Sequence, residues 1–299
     1  MTWFTSFYVL GYVVFFGLSV IAMLWWQKRQ KKTRLPFGPD LKLLRHPGET
    51  QMQIVRTLEE DMMLHLVWAA SLPALLGLLL FMGALKLPNS FILPGVVGSA
   101  LVFAFSFVIA ARWVSTRAKQ SRDRHLGYFG ERIVAEHLEP LKRAGWFVFH
   151  DVPGQSNGSK FNIDHVAVGP QGIFSIETKT RRKGNARPGF DDHKVYFDGR
   201  GLVWPWGEDN HGLEQAERNS VWLAELLKQE LGERFHVSPI LTLPGWWVEL
   251  KPSRETRMVR VINPKGLAKI LRSGQPVLAE QQIESIASKL EARCRDVEY

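Results

Sequence analysis

Two short runs hold the residues best suited to chemistry, Phe161 to Val168 (FNIDHVAV) and Ile173 to Thr180 (IFSIETKT). Both alternate apolar and polar side chains, as strands do. Gly169-Pro170-Gln171-Gly172 between them suits a four-residue hairpin loop. With that loop Val168 faces Ile173, Asp164 faces Glu177 and Asn162 faces Lys179. Side chains alternate between the two faces of a strand, so Asp164, Glu177 and Lys179 project on one side. Ile163, Phe174 and Ile176 then occupy the other side and pack beneath a helix. Two carboxylates about 5 Å apart repel by ~3 kcal/mol at an effective dielectric near 20, and that repulsion calls for a compensating charge. A hard divalent cation supplies one, and Mg²⁺ needs only one or two carboxylates when waters and phosphate oxygens complete its shell. Lys179 adds a positive charge able to orient an attacking water or to stabilise charge on a phosphate. The same residues also read as a solvated hairpin face on which the lysine neutralises one acid. Geometry alone leaves both readings open.

The elements that must position this hairpin are legible as a mixed α/β domain. Leu126, Phe129, Ile133, Val134 and Leu138 mark an amphipathic helix from about Arg124 to His137. Trp146 to Phe149 reads as a buried strand closed by a loop from Pro153 to Gly158. Val195 to Phe197 and Leu202 to Trp204 form a smaller hairpin. Leu213, Ala216, Leu223 and Leu227 make Leu213 to Leu231 a helix. Val237 to Leu243 and Arg257 to Ile262 are further strands, and helices cover roughly 265–272 and 277–295. A central sheet with helices packed on it is the economical arrangement. We expect one domain over residues 126–299, preceded by a basic linker at 115–125.

The N-terminal third is different. Trp3 to Trp26 holds no Asp, Glu, Lys, Arg or His, and Leu64–Leu85 and Phe91–Ala111 are similarly apolar. Each is near the ~20 residues that a helix needs to cross a bilayer. The expected organisation is one span over residues 1–26, a linker over 27–63, and a helical hairpin of two spans over 64–114. Basic residues follow the first span (Lys28, Arg29, Lys31, Lys32, Arg34) and the third (Arg112, Arg117, Lys119, Arg122, Arg124). The positive-inside rule then puts the N-terminus outside and the C-terminal domain in the cytoplasm, on a multi-pass protein of the inner, cytoplasmic membrane. The lipid bilayer is thus an expected partner. Residues 1–114 carry ten Lys and Arg against five Asp and Glu, and residues 115–299 carry 28 against 24. The basic balance is therefore as much a topology signal as a nucleic-acid one. In residues 27–63, Met52, Val55, Leu58 and Met62 recur at helical spacing, fitting a surface helix or a run-in to the next span.

Other chemistries are excluded. The single cysteine, Cys294, rules out a disulfide scaffold and every multi-cysteine metal site. Residues 154–160 mimic a P-loop, but with the wrong spacing and Ser-Lys in place of Lys-Ser/Thr. The sequence has no H-E-x-x-H or G-x-G-x-x-G. His165 points away from Asp164 on the inferred register and reads as structural; His150 beside Asp151 is undecided.

Asp164 followed by Glu177-Thr178-Lys179 resembles the Asp…Glu-x-Lys signature of the PD-(D/E)XK nuclease superfamily. Four blocks are similar, in order, to motifs of the NERD (nuclease-related domain) family: Gly130-Glu131-Arg132 with Val134-Ala135, Ile163 to Val166, Gly172 to Lys179, and Gln215-Ala216 with Arg218-Asn219. The resemblance spans about residues 126–262. It implies a restriction-endonuclease-like fold and a metal-dependent nuclease in which Asp164 and Glu177 hold Mg²⁺ or Mn²⁺ and Lys179 sits beside the reacting phosphate. Glu131 and Gln215 match accessory catalytic positions, although Glu131 also fits a cap or salt bridge on its own helix and Gln215 an ordinary surface amide. Asn210-His211-Gly212-Leu213 departs from the usual Asn-Pro-Leu entry to that helix. The expected partner is nucleic acid, DNA in the first instance. Arg181, Arg182, Lys183, Arg187 and Arg218 are the candidate backbone contacts, and a solvated charge run is their plainer reading. Trp204, Trp206, Trp246 and Trp247 suit packing better than base stacking. The rival function is a catalytically inactive nuclease-fold module that binds nucleic acid or a protein at the membrane.

Overall fold

The computed structural model describes residues 41–86, 88–156, 158–251 and 257–297, together with seven scattered positions below residue 41. The span expected at Trp3–Trp26 and the basic residues after it therefore lie almost wholly outside the described residues. The chain divides into two compact units, one with residues up to Leu41 and Met63–Thr116, the other with Lys42–Met62 and Arg117–Tyr299.

The first unit takes its body from two helices, α1 (Glu49–Ala84) and α2 (Asn89–Arg143). Both contain a stretch long and apolar enough to cross a membrane, and only 12% and 6% of those windows are buried. The apolar run at 91–111 falls within α2, and that at 64–85 within α1 but for Leu85. Gly77 lies against Phe103, where a Cβ would come within 3.0 Å, so the two helices approach closely there. Residues 115–125, read from the sequence as a basic linker, are helical and belong to α2.

The second unit is mixed α/β, with sheets flanked by helices. Its main sheet has the order β10-β8-β4-β3-β2, built from β2 (Phe147–Ser156), β3 (Ser159–Gly169), β4 (Gly172–Thr178), β8 (Val237–Thr242) and β10 (Arg260–Ile262). The first three are antiparallel neighbours, while β8 lies parallel to β4 and β10 parallel to β8. A parallel neighbour needs a long crossover. Between β4 and β8 the chain supplies β5 (Lys194–Phe197), β6 (Leu202–Trp204), β7 (Gly207–Glu208) and helix α3 (His211–Leu231). The three strands join β9 (Trp247–Leu250) in a smaller sheet. Two short helices follow, α4 (Pro264–Leu271) and α5 (Glu280–Cys294), and β11 (Arg295–Val297) pairs with β1 (Leu43–Leu44).

Each face of the main sheet has its own core. Leu223 and Leu227 of α3 and Ile286 and Leu290 of α5 pack on Val166, Val168 and Ile173. Val134, Leu138 and Leu141 of α2 and Leu267 and Leu271 of α4 pack on Ala167, Phe174 and Ile176. The expectation that Phe174 and Ile176 sit beneath a helix holds. Ile163 does not join them; it lies in the opposite core with Val166. The reason is a break in strand alternation. Asp151 is left-handed at φ 49, so Phe149 and Val152 on its two sides enter the same core, and β3 follows its partner.

The segment Pro153–Gly158, expected as a loop, is mostly strand. β2 stays paired with β3 out to Ser156 and Ser159. Proline is tolerated because β2 is an edge strand whose missing N–H breaks no ladder bond. Gly154 leaves room for the Phe161 ring, which a Cβ would meet at 2.5 Å.

Gly130 shows how tightly α2 sits on the end of β4: a Cβ there would fall 1.8 Å from Thr180 Oγ1, whereas at Gly127 the nearest atom is 3.8 Å away. Both lie in one helix, where alanine gains up to about 1 kcal/mol of propensity. Gly127→Ala should therefore be neutral or stabilising by up to that amount. Gly130→Ala should destabilise by about 1–3 kcal/mol through overpacking. Urea denaturation of the two variants checks this; equal effects would contradict the close packing.

Candidate active site

The β3–β4 pairing runs from Gly169–Gly172 through Val168–Ile173 to His165–Ile176, the register expected from the sequence. One position further, at Asp164 and Glu177, the strands part. Thr178 N donates to Asp164 Oδ2 at 2.7 Å, and Lys179 N donates to Thr242 O of β8 at 3.0 Å. The end of β4 thus leaves β3 and stays with β8. Asn162 does not meet Lys179 across the hairpin; its amide donates to Asp151.

Four side chains lock together at this fork. Lys179 Nζ donates to Glu177 Oε1 at 2.7 Å and to Gln215 Oε1 at 2.9 Å, and Asn219 Nδ2 donates to Glu177 Oε2 at 2.9 Å. Gln215 and Asn219 are one helical turn apart on α3 and share a face. Gly212, a turn earlier, leaves space for the lysine stem, since a Cβ there would be 2.9 Å from Lys179 Cγ. This is where the unusual Asn210-His211-Gly212 entry finds its use. Glu131 joins from α2. It is buried in mid-helix, and its Oε2 has no hydrogen-bond partner among the described residues.

Burial dominates the electrostatics. It pushes the Glu131 carboxyl up to about 8, helped by the charges of Asp151 and Glu177. Burial, then Glu177 and Glu131, raises Asp164 well above the carboxylate range. Glu177 is also raised by burial, with Lys179 pulling the other way. Burial opposes the charge on Lys179, but Glu177 and Asp164 outweigh it and hold the ammonium charged. The cluster is short of positive charge. Among the described residues no group of three or more His, Cys, Asp and Glu forms a ready cage for a metal ion. A pair of carboxylates is enough for Mg²⁺ when water and phosphate complete the shell. Glu177 keeps acceptor capacity beside its two bonds, because each carboxylate oxygen offers two lone-pair sites.

The basic candidates do not form one free patch. Arg181 pairs with Asp209 and Arg182 with Asp123. Lys183 lies over the Trp246 ring at 5.8 Å, and Arg187 over Phe190 at 4.5 Å. Arg218 is exposed, near Glu214 at 3.9 Å. With Phe161, Gln215, Asn219 and Trp222 it lines a groove that opens beside the acids. Trp204 and Trp246 are buried, stacked among themselves and Trp206 as packing residues, while Trp247 is exposed. His165 is buried, its Nδ1 2.8 Å from that of His150.

Sequence reasoning passed over Asn219 as a partner of Glu177, although its spacing from Gln215 was a usable signal. It also passed over Asp151 and the residues that hold it, Arg45 and Thr50, which are some hundred positions away in the chain and carry no local mark.

The family model of the nuclease-related domain, NERD, matches residues 126–244, a stretch that holds Glu131, Asp164, Glu177, Lys179, Gln215 and Asn219. The match supports the family for this domain and a nuclease-like role. No curated protein and no solved structure matches the chain.

The raised carboxyls set a pH dependence. Glu131 titrates at about 8 when folded against 4.5 ordinarily, so between these values the folded chain binds more protons than the unfolded one. Stability is then lost as pH rises through that window. Glu131→Gln removes the loss, and its stability relative to the wild type should be higher at pH 8 than at pH 5 in urea titrations. A pH-independent difference would contradict the buried-acid assignment. His150 acts oppositely: burial lowers it from 6.5 to about 3, so its contribution is full above 6.5 and is lost as pH falls toward 3.

Proposed function

We propose that this protein is a membrane-anchored, metal-dependent nuclease that hydrolyses phosphodiester bonds of nucleic acid on the cytoplasmic side. The observation that carries the reading is the Lys179 ammonium held between Glu177 and Gln215, next to buried carboxylates that lack compensating charge. The orphaned Oε2 of Glu131 and the raised acids fit a hard divalent cation, Mg²⁺ or Mn²⁺, with Asp164 and Glu177 as its protein ligands. Such an ion supplies Lewis-acid charge and a water of lowered pKa.

The protein's own residues do the rest. Asn219 fixes one oxygen of Glu177 and Lys179 the other, so the carboxylate is oriented before any substrate arrives. Thr178 N–H fixes Asp164 in the same way. Lys179 spends two donors on Glu177 and Gln215 and keeps a third for a phosphate oxygen, where it stabilises the charge that develops. Glu131 takes or gives a proton near neutral pH, as its raised carboxyl suits. In the groove, Arg218 offers a charge and Trp222 and Phe161 two aromatic side chains to a nucleic-acid strand, while Glu217 and Glu225 keep its lining from being basic overall. The apolar stretches of α1 and α2 support the membrane anchor, and the basic residues that follow the stretch in α2, Arg112, Arg117, Lys119, Arg122 and Arg124, support its orientation.

The test is cleavage by the full chain in detergent, on supercoiled plasmid, linear duplex, single-stranded DNA and RNA, with Mg²⁺, Mn²⁺ or EDTA. Cleavage should need the metal and should fall by about 10²–10³-fold or more in Lys179→Ala, the scale of losing one charge-stabilising donor, and likewise in Glu177→Gln. Nucleic acid bound but not cut, with or without metal, would favour the inactive binding module instead.

A further inference from the structure

Lys42–Met62 lies outside the region matched by the family and yet is part of the same compact unit as the candidate site. We propose that Arg45 and Thr50 in this strap are positioning residues for the site, acting on Asp164 through Asp151. The inference rests on the nuclease reading above.

The strap is tied down at its start. β1 pairs with β11, Arg45 N donates to Cys294 O at 3.0 Å, and the Arg45 guanidinium grips Asp296 through Nε at 2.6 Å and Nη2 at 2.8 Å. Its remaining nitrogen, Nη1, donates to Asp151 Oδ2 at 2.6 Å. Thr50 adds two more donors to that same oxygen, its N–H at 3.1 Å and its hydroxyl at 2.6 Å. Asn162 holds the other oxygen. Asp151 is fully buried and sits at φ 49, a conformation that a residue with a Cβ keeps only where its surroundings impose it. Here the surroundings are the strap.

Asp151 occupies the position across from Asp164, between the pairs His150–His165 and Val152–Ile163. Its left-handed turn is where strand alternation breaks in β2 and β3 alike. That break lets Asp164 leave the regular hairpin face and take the Thr178 N–H.

A strap that merely stabilises the domain would lower activity only as far as it lowers folding, so the test separates the two. Wild type, Thr50→Val and Thr50→Ser are compared as full chains. The readouts are thermal midpoint without metal, apparent Mn²⁺ affinity from Mn²⁺ EPR, and kcat and KM on the cleaved nucleic acid. Thr50→Val should lose about 10–100-fold in kcat or Mn²⁺ affinity, the range found when partners of ligating residues are removed. KM for nucleic acid should stay unchanged, and Thr50→Ser, which keeps the hydroxyl, should restore the wild-type values. An active wild type beside variants with unchanged kcat and Mn²⁺ affinity, or losses that only track the thermal midpoint, would overturn this inference alone. A wild type that neither cleaves nor binds Mn²⁺ would overturn the nuclease reading and this inference with it.

Discussion

Glu177 is almost completely removed from water, and an isolated carboxylate in that position is costly enough to give up its charge. Lys179 and Asn219 meet one oxygen each and keep the charge in place. Much of the unit's architecture follows from making that meeting possible. Strand β4 must end beside α3, which is why its last residues pair with β8 and leave β3. Helix α3 must come close to the strand, which Gly212 allows. Helix α2 must close the other side, and Gly130 against Thr180 permits the approach that brings Glu131 in.

The cluster that results is poorly balanced on its own. One ammonium faces Glu177, Asp164 and Glu131; burial pushes each acid toward its neutral form, and neighbouring acids add to this at Asp164 and Glu131. Structural ion pairs seldom leave such a surplus, because buried like charges cost stability unless something offsets them. Sites that bind a cation or a developing charge tolerate it, since the offset arrives with the ligand. The strap from Lys42 adds donors to Asp151, and these orient that acid more than they neutralise the cluster.

The sequence made the hairpin legible because two independent signals agreed there: alternation in both runs, and a loop length that fixes register. The same alternation misplaced Ile163, because nothing local marks a left-handed aspartate at 151 in the way a glycine would. Helix α3 was readable from Leu213, Ala216, Leu223 and Leu227, all of which are buried. The Met52, Val55, Leu58 and Met62 spacing announced a helix but not what it packs on. Its anchor at Thr50 is Asp151, about a hundred positions away in the chain, and the two meet only in the folded protein. The basic run after Lys179 looked unopposed for the same reason: its acids, Asp123 and Asp209, lie far away in sequence.

The central claim is that the fork of β3 and β4 is short of one cation. Mn²⁺ titration of the full chain at pH 8, followed by EPR, tests it most directly when wild type is compared with Asp164→Asn. The account predicts saturable Mn²⁺ binding to the wild type and a loss of about tenfold or more in affinity in the variant, with both proteins folded. Folded wild-type protein that takes up no Mn²⁺, or takes it up no better than Asp164→Asn, would contradict it.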